Sequence, residues 1–323
     1  MNDSPKISVV IPAYNTANWI QPCLDSILNQ SYGHLEVIVI DDGSTDATFD
    51  IVKEYSLADS RIRVFQQVNK GVAAARAMGL SQATGEYVGF VDSDDVLHTS
   101  MYEQLMHIAL TTRADIVCCE MSSFDKTVDT CCENIHINVY TISSGEALQH
   151  LLFTGVVDST MCAKLYKRNL ISPKSFCEGV TNNEDLFSNF VIIQEATIIA
   201  ISNFVGYYYR NRQGSASRGG VPENSVIHMK LLVRERIFKA ATRKNLRLAS
   251  ISYASTIFSF LHKFVYAGSI ESAEIANTCI RSMKCNGEIF VYASIKQKIM
   301  RFLCLNAPQL YIFILRCYRK WMH

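Results

Sequence analysis

The sequence predicts an α/β fold, in which a doubly wound, largely parallel sheet flanked by helices is followed by a helical C-terminal region. Three observations carry this. Short β-branched runs alternate strictly with helical patterns over the first 120 residues, and Pro, Gly or Asp residues close the first of those runs abruptly. After the Gly/Ser-rich stretch Gly214 to Gly220, helical periodicity replaces strand alternation through residue 318. Strand and helix in alternation mean crossover units, and crossover units build parallel sheets.

Each element follows from its local pattern. Ile7-Ser8-Val9-Val10-Ile11 reads as a strand stopped by Pro12, with a helix from Trp19 to Leu28 behind it. Leu35 to Ile40 is a second strand, stopped by Asp41-Asp42-Gly43 and followed by a helix over Thr48 to Tyr55. Ile62 to Phe65 makes a third strand, Val72 to Ala83 an Ala-rich helix and Tyr87 to Val91 a fourth strand. A helix at Met101 to Leu110 and a strand at Ile116 to Cys119 come next. Periodicity fades between Asp125 and Asn138, which reads as a connection or irregular hairpin, and residues 144 to 215 mix helix and strand. The composition change places the boundary so that residues 1–218 form one domain and residues 219–323 a helical one.

Composition excludes several classes. The 31 basic and 30 acidic residues nearly cancel, so no global positive field is available to hold nucleic acid. No run of about eighteen apolar residues occurs, and the start MNDSPK lacks a basic segment followed by an apolar one; neither a spanning helix nor secretion is expected. The eleven cysteines are odd in number and dispersed, as reduced core-filling thiols would be. Cys118-Cys119 and Cys131-Cys132 lack the internal spacing that lets paired thiolates turn to one zinc ion.

In doubly wound sheets ligands sit beyond the carboxyl ends of the strands, so the loops there carry the chemistry. In the first, Pro12-Ala13-Tyr14-Asn15, Tyr14 and Asn15 at the strand tip can touch a base or ribose, or simply turn the chain. In the second, Asp41 to Asp46, Gly43 permits a tight turn and Ser44, Thr45 or Asp46 can cap the next helix. Capping leaves Asp41 and Asp42 unexplained, and either can accept from ribose hydroxyls or a uracil N–H. Asn69-Lys70-Gly71 then opens the small-residue helix in which Arg76 can reach a carboxylate or phosphate. The last is Asp92-Ser93-Asp94-Asp95. In an extended backbone Asp92 and Asp94 project to one side and Ser93 to the other, and two converging carboxylates call for a hard cation such as Mg²⁺ or Mn²⁺. An acidic helix cap is the alternative, and the position after a buried strand favours metal.

Strand–PAYN, strand–DDGSTD, NKG…AR and strand–DSDD, in that order, closely resemble the family 2 glycosyltransferases of GT-A fold. The resemblance continues through Lys164 to Arg168, Phe176 to Gly179, Asn183-Glu184-Asp185-Leu186-Phe187 and Tyr207 to Arg210 ahead of Gly214-Ser215, about two thirds of the chain. It implies a nucleotide-sugar site built from Pro12, Tyr14, Asn15, Asp41, Asp42, Asn69, Gly71, Arg76, Asp92, Ser93 and Arg210. It further implies Asp92 and Asp94 around a metal-bound diphosphate, with Asp185, beside Glu184, as catalytic base. Read alone, Glu184 and Asp185 would serve the dipole of the helix they open. Departures from the family pattern are Ala77, Cys162-Ala163 and Cys177; the second lies where the acceptor is expected. Arg210, Arg212 and Arg218 either cover the diphosphate or form a solvated rim.

The resemblance implies an inverting, Mn²⁺- or Mg²⁺-dependent transfer of one sugar from a nucleotide-sugar, a UDP-sugar, to a glycan or lipid-linked oligosaccharide in capsule, exopolysaccharide or lipopolysaccharide assembly. After Glu288 the chain has no acidic residue, while Lys296, Lys298, Arg301, Arg316, Arg319 and Lys320 lie among large apolar side chains. That composition fits an interfacial helix pair on an anionic membrane, and places the protein in the cytoplasm, peripheral at the inner face of the cytoplasmic membrane. The rival class is a catalytically silent sugar-nucleotide-binding or scaffold subunit. A nucleotidylyltransferase lacks its Gly-rich phosphate loop here, and a dinucleotide dehydrogenase lacks G-x-G-x-x-G.

Overall fold

The computed structural model describes residues 4–131, 136–177, 179–180, 183–212, 223–265, 270–307 and 311. The chain forms two compact units, Met1–Gly219 and Gly220–His323.

The first unit is built on a nine-stranded sheet. β1 (Ile7–Ala13), β2 (Leu35–Asp41), β3 (Ile62–Gln66) and β4 (Tyr87–Phe90) lie in the order β3-β2-β1-β4, every pairing parallel. All seven residues of β1 and of β2 are buried, which is why both strands read as apolar runs without alternation: helices cover both faces. α1 (Ile20–Leu28) buries Ile20, Cys23, Leu24 and Ile27, one face at helical spacing. α2 (Thr48–Ala58) follows β2. α3 (Val72–Gln82) lies so close to the sheet that a Cβ on Gly79 would stand 2.3 Å from Val10 Cγ1, so its small residues are a packing requirement.

The other half of the sheet is mixed. β8 (Lys164–Lys167) pairs antiparallel with β4 and with β6 (Ile116–Phe124), and β6 runs parallel to the thirteen-residue β9 (Ile198–Arg210). β5 (Val96–Leu97) and β7 (Val139–Ser143) add antiparallel to β9. α4 (Met101–Thr112), α5 (Ser144–Gln149), continued by a π-helical turn His150–Thr154, and α6 (Glu184–Glu195) complete the unit.

Four expectations are corrected. Pro12 does not end β1, which continues to Ala13 against β2. Ala13 faces β2 and Val10 faces β4, so by alternation Pro12 turns its missing N–H toward β4, whose pairing with β1 has ended at Val10. The strand expected over Ile116 to Cys119 runs on to Phe124, because β9 pairs along its whole length across register shifts at Glu120. The stretch after Asp92 is a turn, closed by the Asp95 N–H donating to the Asp92 carbonyl at 3.1 Å, so the extended-backbone argument for Asp92 and Asp94 does not apply. Finally, Cys131 is exposed and fills no core, whereas Cys118 is buried as expected; both are free thiols, and Cys132 lies outside the described residues.

The second unit contains α7 (Glu223–Ala240), α8 (Leu246–Val265), α9 (Ile270–Cys285) and α10 (Ile295–Asn306). Ile227, Leu231, Tyr253, Ile257, Cys279 and Met283 share its core. α10 packs into that core through Cys304, Met300 and Leu303, and Arg301 stacks 4.8 Å over Phe290 while donating to the Met283 carbonyl. Arg301 is therefore not one of the outward basic groups that the sequence suggested. Arg316, Arg319 and Lys320 lie outside the described residues. Among the described residues no helix is long and apolar enough to cross a membrane.

Candidate active site at the carboxyl ends of the parallel strands

β1, β2 and β4 are neighbours, so the loops that leave them open on one edge of the sheet. At the β1 tip Tyr14 is half exposed, and Asn15, at φ 52°, turns its side chain toward the β2 loop. Its Oδ1 accepts from the Thr45 N–H at 2.8 Å and its own N–H donates to Ser44 Oγ at 3.0 Å. Asn15 thus knits two loops together, leaving Tyr14 as the accessible side chain of the pair. Asp46 caps α2 by accepting from the Thr48 N–H at 3.0 Å.

Asp41 and Asp42 are both buried, with different duties. The Asp42 carboxylate accepts from the N–H groups of Lys70 and Gly71 at 2.9 and 2.8 Å and from Gln67 Nε2 at 2.7 Å, holding the loop before α3. That loop runs beside Gly43 (φ 75°), where a Cβ would stand 2.9 Å from the Asn69 nitrogen. Gly71 at φ 87° starts α3, and Asn69 is exposed at the rim. Asp41 Oδ2 accepts from Gln66 Nε2 at 2.9 Å, whereas its buried Oδ1 has no hydrogen-bond partner. An unsatisfied buried carboxylate oxygen is costly, so Asp41 is the member of the pair with acceptor capacity left over.

Arg76 lies at the centre of the site. It is 3% exposed, its Nη2 donates to Asp92 Oδ1 at 2.9 Å, and its Nη1 pairs with Asp185 Oδ1. One guanidinium therefore joins the loop after β4 to the first turn of α6, with Arg76 and Asp185 109 positions apart in sequence. Asp185 Oδ2 also accepts from the Met161 N–H at 3.0 Å. Cys162, 1% exposed, and Ala163, at φ 57°, follow Met161, so this departure from the family pattern directly flanks the carboxylate. Burial and the neighbouring Asp185 push the Glu184 carboxyl up to about 7.

Ser93, within the turn, is buried. Asp94 Oδ2 pairs with Arg212 Nε, and the Arg212 guanidinium stacks 4.6 Å over the Trp19 ring. Arg210 faces the back of the loop instead, donating to the Asp94 carbonyl at 2.9 Å and lying 4.5 Å over Phe124. Arg218 and Glu178 lie outside the described residues. No sequence motif marks Trp19 or the Met161 amide, because only the fold brings them to the cleft.

Among the described residues no three His, Cys, Asp or Glu side chains converge as a protein cage for a metal. Asp92 and Asp94 each commit one oxygen to an arginine. Two hard carboxylates with remaining lone pairs fit a divalent cation whose coordination is completed by phosphate and water.

Residues 8–172 match the family model described as Glycosyl transferase family 2. The chain belongs to this family. It is 34% identical over 222 residues to the glycosyltransferase GlyA of Streptococcus pneumoniae, an alignment covering 66% of this chain and 32% of GlyA. With the glycosyltransferase GlyG of the same organism it shares 33% over 227 residues, 67% of this chain and 74% of GlyG. The chain thus spans about a third of the longer relative. The structure of S. aureus TarS 1-349 in complex with UDP-GlcNAc superposes with a TM-score of 0.73 at 21% identity, covering 98% of this chain and 92% of that one. That likeness shows the GT-A fold.

Proposed function

We propose that this family 2 member is an inverting glycosyltransferase that moves one sugar from a UDP-sugar to a hydroxyl of a glycan or lipid-linked oligosaccharide in surface polysaccharide assembly. The observation that carries the reading is the bridge Asp92–Arg76–Asp185, which holds the loop after β4 and the first turn of α6 on opposite ends of one buried cation, as a diphosphate loop and a carboxylate base would need. UDP-GlcNAc bound to TarS supports the choice of a uridine donor.

In this reading Tyr14 stacks on the base, Asp41 Oδ1 accepts from the nucleoside, and Arg212 is placed to follow the diphosphate from its perch on Trp19. A Mn²⁺ or Mg²⁺ ion held by Asp92 and Asp94 would supply positive charge at the leaving diphosphate. The acceptor hydroxyl attacks the anomeric carbon from the side opposite the diphosphate and gives its proton to Asp185 as the bond from that carbon to the diphosphate oxygen breaks and UDP leaves; attack from behind inverts the carbon. A second assignment has its own support: Glu184 has its proton affinity raised to about 7, the range suited to a base working at neutral pH, whereas Asp185 is paired with Arg76.

The membrane reading rests on α10. Ile295, Ile299 and Phe302 share one outward face and are 78%, 55% and 64% exposed, with Val291 and Tyr292 exposed just before and Lys296 and Lys298 exposed beside them. An exposed apolar stripe with basic neighbours supports peripheral attachment to an anionic leaflet, where a lipid-linked acceptor would lie.

Calorimetric titration of UDP-sugars with and without Mn²⁺ tests the donor site. Binding should require the cation and should disappear in Asp94→Ala; undiminished binding by that variant would remove the metal assignment. A protein that binds donor yet never releases UDP from it, even with metal present, is instead a silent binding subunit.

A further inference from the structure

The loop that carries Asp92 and Asp94 is held from below by a side chain outside the open cleft. Tyr207, on β9, is 1% exposed, and its hydroxyl makes two hydrogen bonds of opposite sense. It donates to Asp95 Oδ2 at 2.6 Å and accepts from the Asp92 N–H at 3.1 Å. Asp95 is itself 1% exposed, and its Oδ1 accepts from the Arg210 N–H at 2.8 Å. The Asp95 N–H closes the turn onto the Asp92 carbonyl. Beyond the turn, β5 pairs with β9 at Leu97↔Tyr207 and Val96↔Tyr208, so the sheet fixes where the Tyr207 ring starts. A phenol is suited to this position because it gives one proton and takes another at a single atom; Phe would do neither.

We propose that Tyr207 and Asp95 form a buried buttress that sets the spacing of the Asp92 and Asp94 carboxylates, making Tyr207 a positioning residue for the cation and donor diphosphate. This rests on the donor-site reading above. Asp92 and Asp94 are drawn to different arginines, Arg76 and Arg212, so the loop that presents both to one cation needs its own anchor. An anchor on the Asp92 amide and the Asp95 carboxylate keeps it in the binding geometry, and such preorganisation lowers the ordering cost of binding. Neither residue touches donor, so the effect passes through the loop.

The test compares Tyr207→Phe with Tyr102→Phe. Tyr102 lies in the same core, and its buried hydroxyl has no hydrogen-bond partner, so removing it controls for a lost core hydroxyl. Two readouts are taken on the full chain. Amide hydrogen exchange at Asp92 should speed up at least about tenfold in Tyr207→Phe and stay as in wild type in Tyr102→Phe, because only the first removes that amide's acceptor. The Mn²⁺ concentration that half-saturates UDP-sugar binding should rise by about tenfold in Tyr207→Phe alone, with the saturating transfer rate falling less. Unchanged exchange at Asp92 overturns the buttress. Faster exchange with an unaltered Mn²⁺ requirement overturns its positioning role. If wild-type protein binds no UDP-sugar, the donor-site reading fails, and with it the positioning role, while the exchange measurement still decides whether Tyr207 holds the loop.

Discussion

Replacing Arg76 by Met keeps much of the side chain's apolar length and removes the charge that joins Asp92 to Asp185. Breaking a buried ion pair by deleting one partner costs about 3–5 kcal/mol, mostly because the other charge is stranded. Here two charges are stranded, but their side chains are 38% and 21% exposed, so water recovers part of the loss. A destabilisation of about 3 kcal/mol is expected, which for a unit of this size lowers Tm by roughly 6–12 °C. The pH dependence fixes the cause. In the wild type burial pushes the Asp92 carboxyl up while Arg76 pulls it down, a stabilisation of the ionised form that is lost as Asp92 protonates on acidification. In Arg76→Met that pull is absent and the Asp92 carboxyl rises further, so its protonation on acidification relieves the variant. Both effects narrow the gap between the proteins at low pH. Urea unfolding at pH 7 and at about pH 4.5 measures it. A stability difference equal at both pH values, or a Tm loss below about 2 °C at pH 7, would refute the bridge as the element joining the two halves of the site.

Two further outcomes follow from the same geometry. If Glu184 is the base, kcat/KM for transfer climbs as pH rises through about 7, where its carboxyl loses its proton, and Glu184→Gln loses that limb of the profile; a full limb in Glu184→Gln leaves the role to Asp185. On α10, Ile299→Asp with Phe302→Ser should release the protein from anionic vesicles at low salt without altering donor affinity, as judged by co-sedimentation. Truncation after Glu288 is no substitute, because Ile289, Phe290 and Cys304 belong to the second unit's core.

The parallel half of the sheet was legible because each strand is a short apolar run, each helix has a buried face at helical spacing, and the connections are short. The acidic loops were legible for the same reason: charge that follows directly on a buried strand is conspicuous. What the sequence hid was long-range. The two-residue β5 has too few residues to show a period, and β8 takes its place only through antiparallel pairing with strands far away in the chain. Pro12 looked like a terminator because the side of the strand its missing N–H faces depends on which neighbour has ended. Tyr207 sits in an aromatic run that reads as ordinary strand, and nothing local says that its hydroxyl reaches Asp95, 112 positions earlier. Asp42 and Arg210 were expected to face ligand, and both are largely spent on holding loops. The α10 stripe appeared in the composition, but which residues faced outward needed the packing of Cys304.

The most direct measurement is the paired determination of donor affinity and transfer rate in Asp185→Asn. The amide keeps the size of the carboxylate and can still accept from the Met161 N–H, but it takes up no proton from an attacking hydroxyl. UDP-sugar affinity in the presence of Mn²⁺ should stay within a few-fold of wild type, while UDP release with acceptor falls by about a hundredfold or more, the range of a positioned general base. Transfer at the wild-type rate by Asp185→Asn, with Glu184→Gln equally active, would contradict the account.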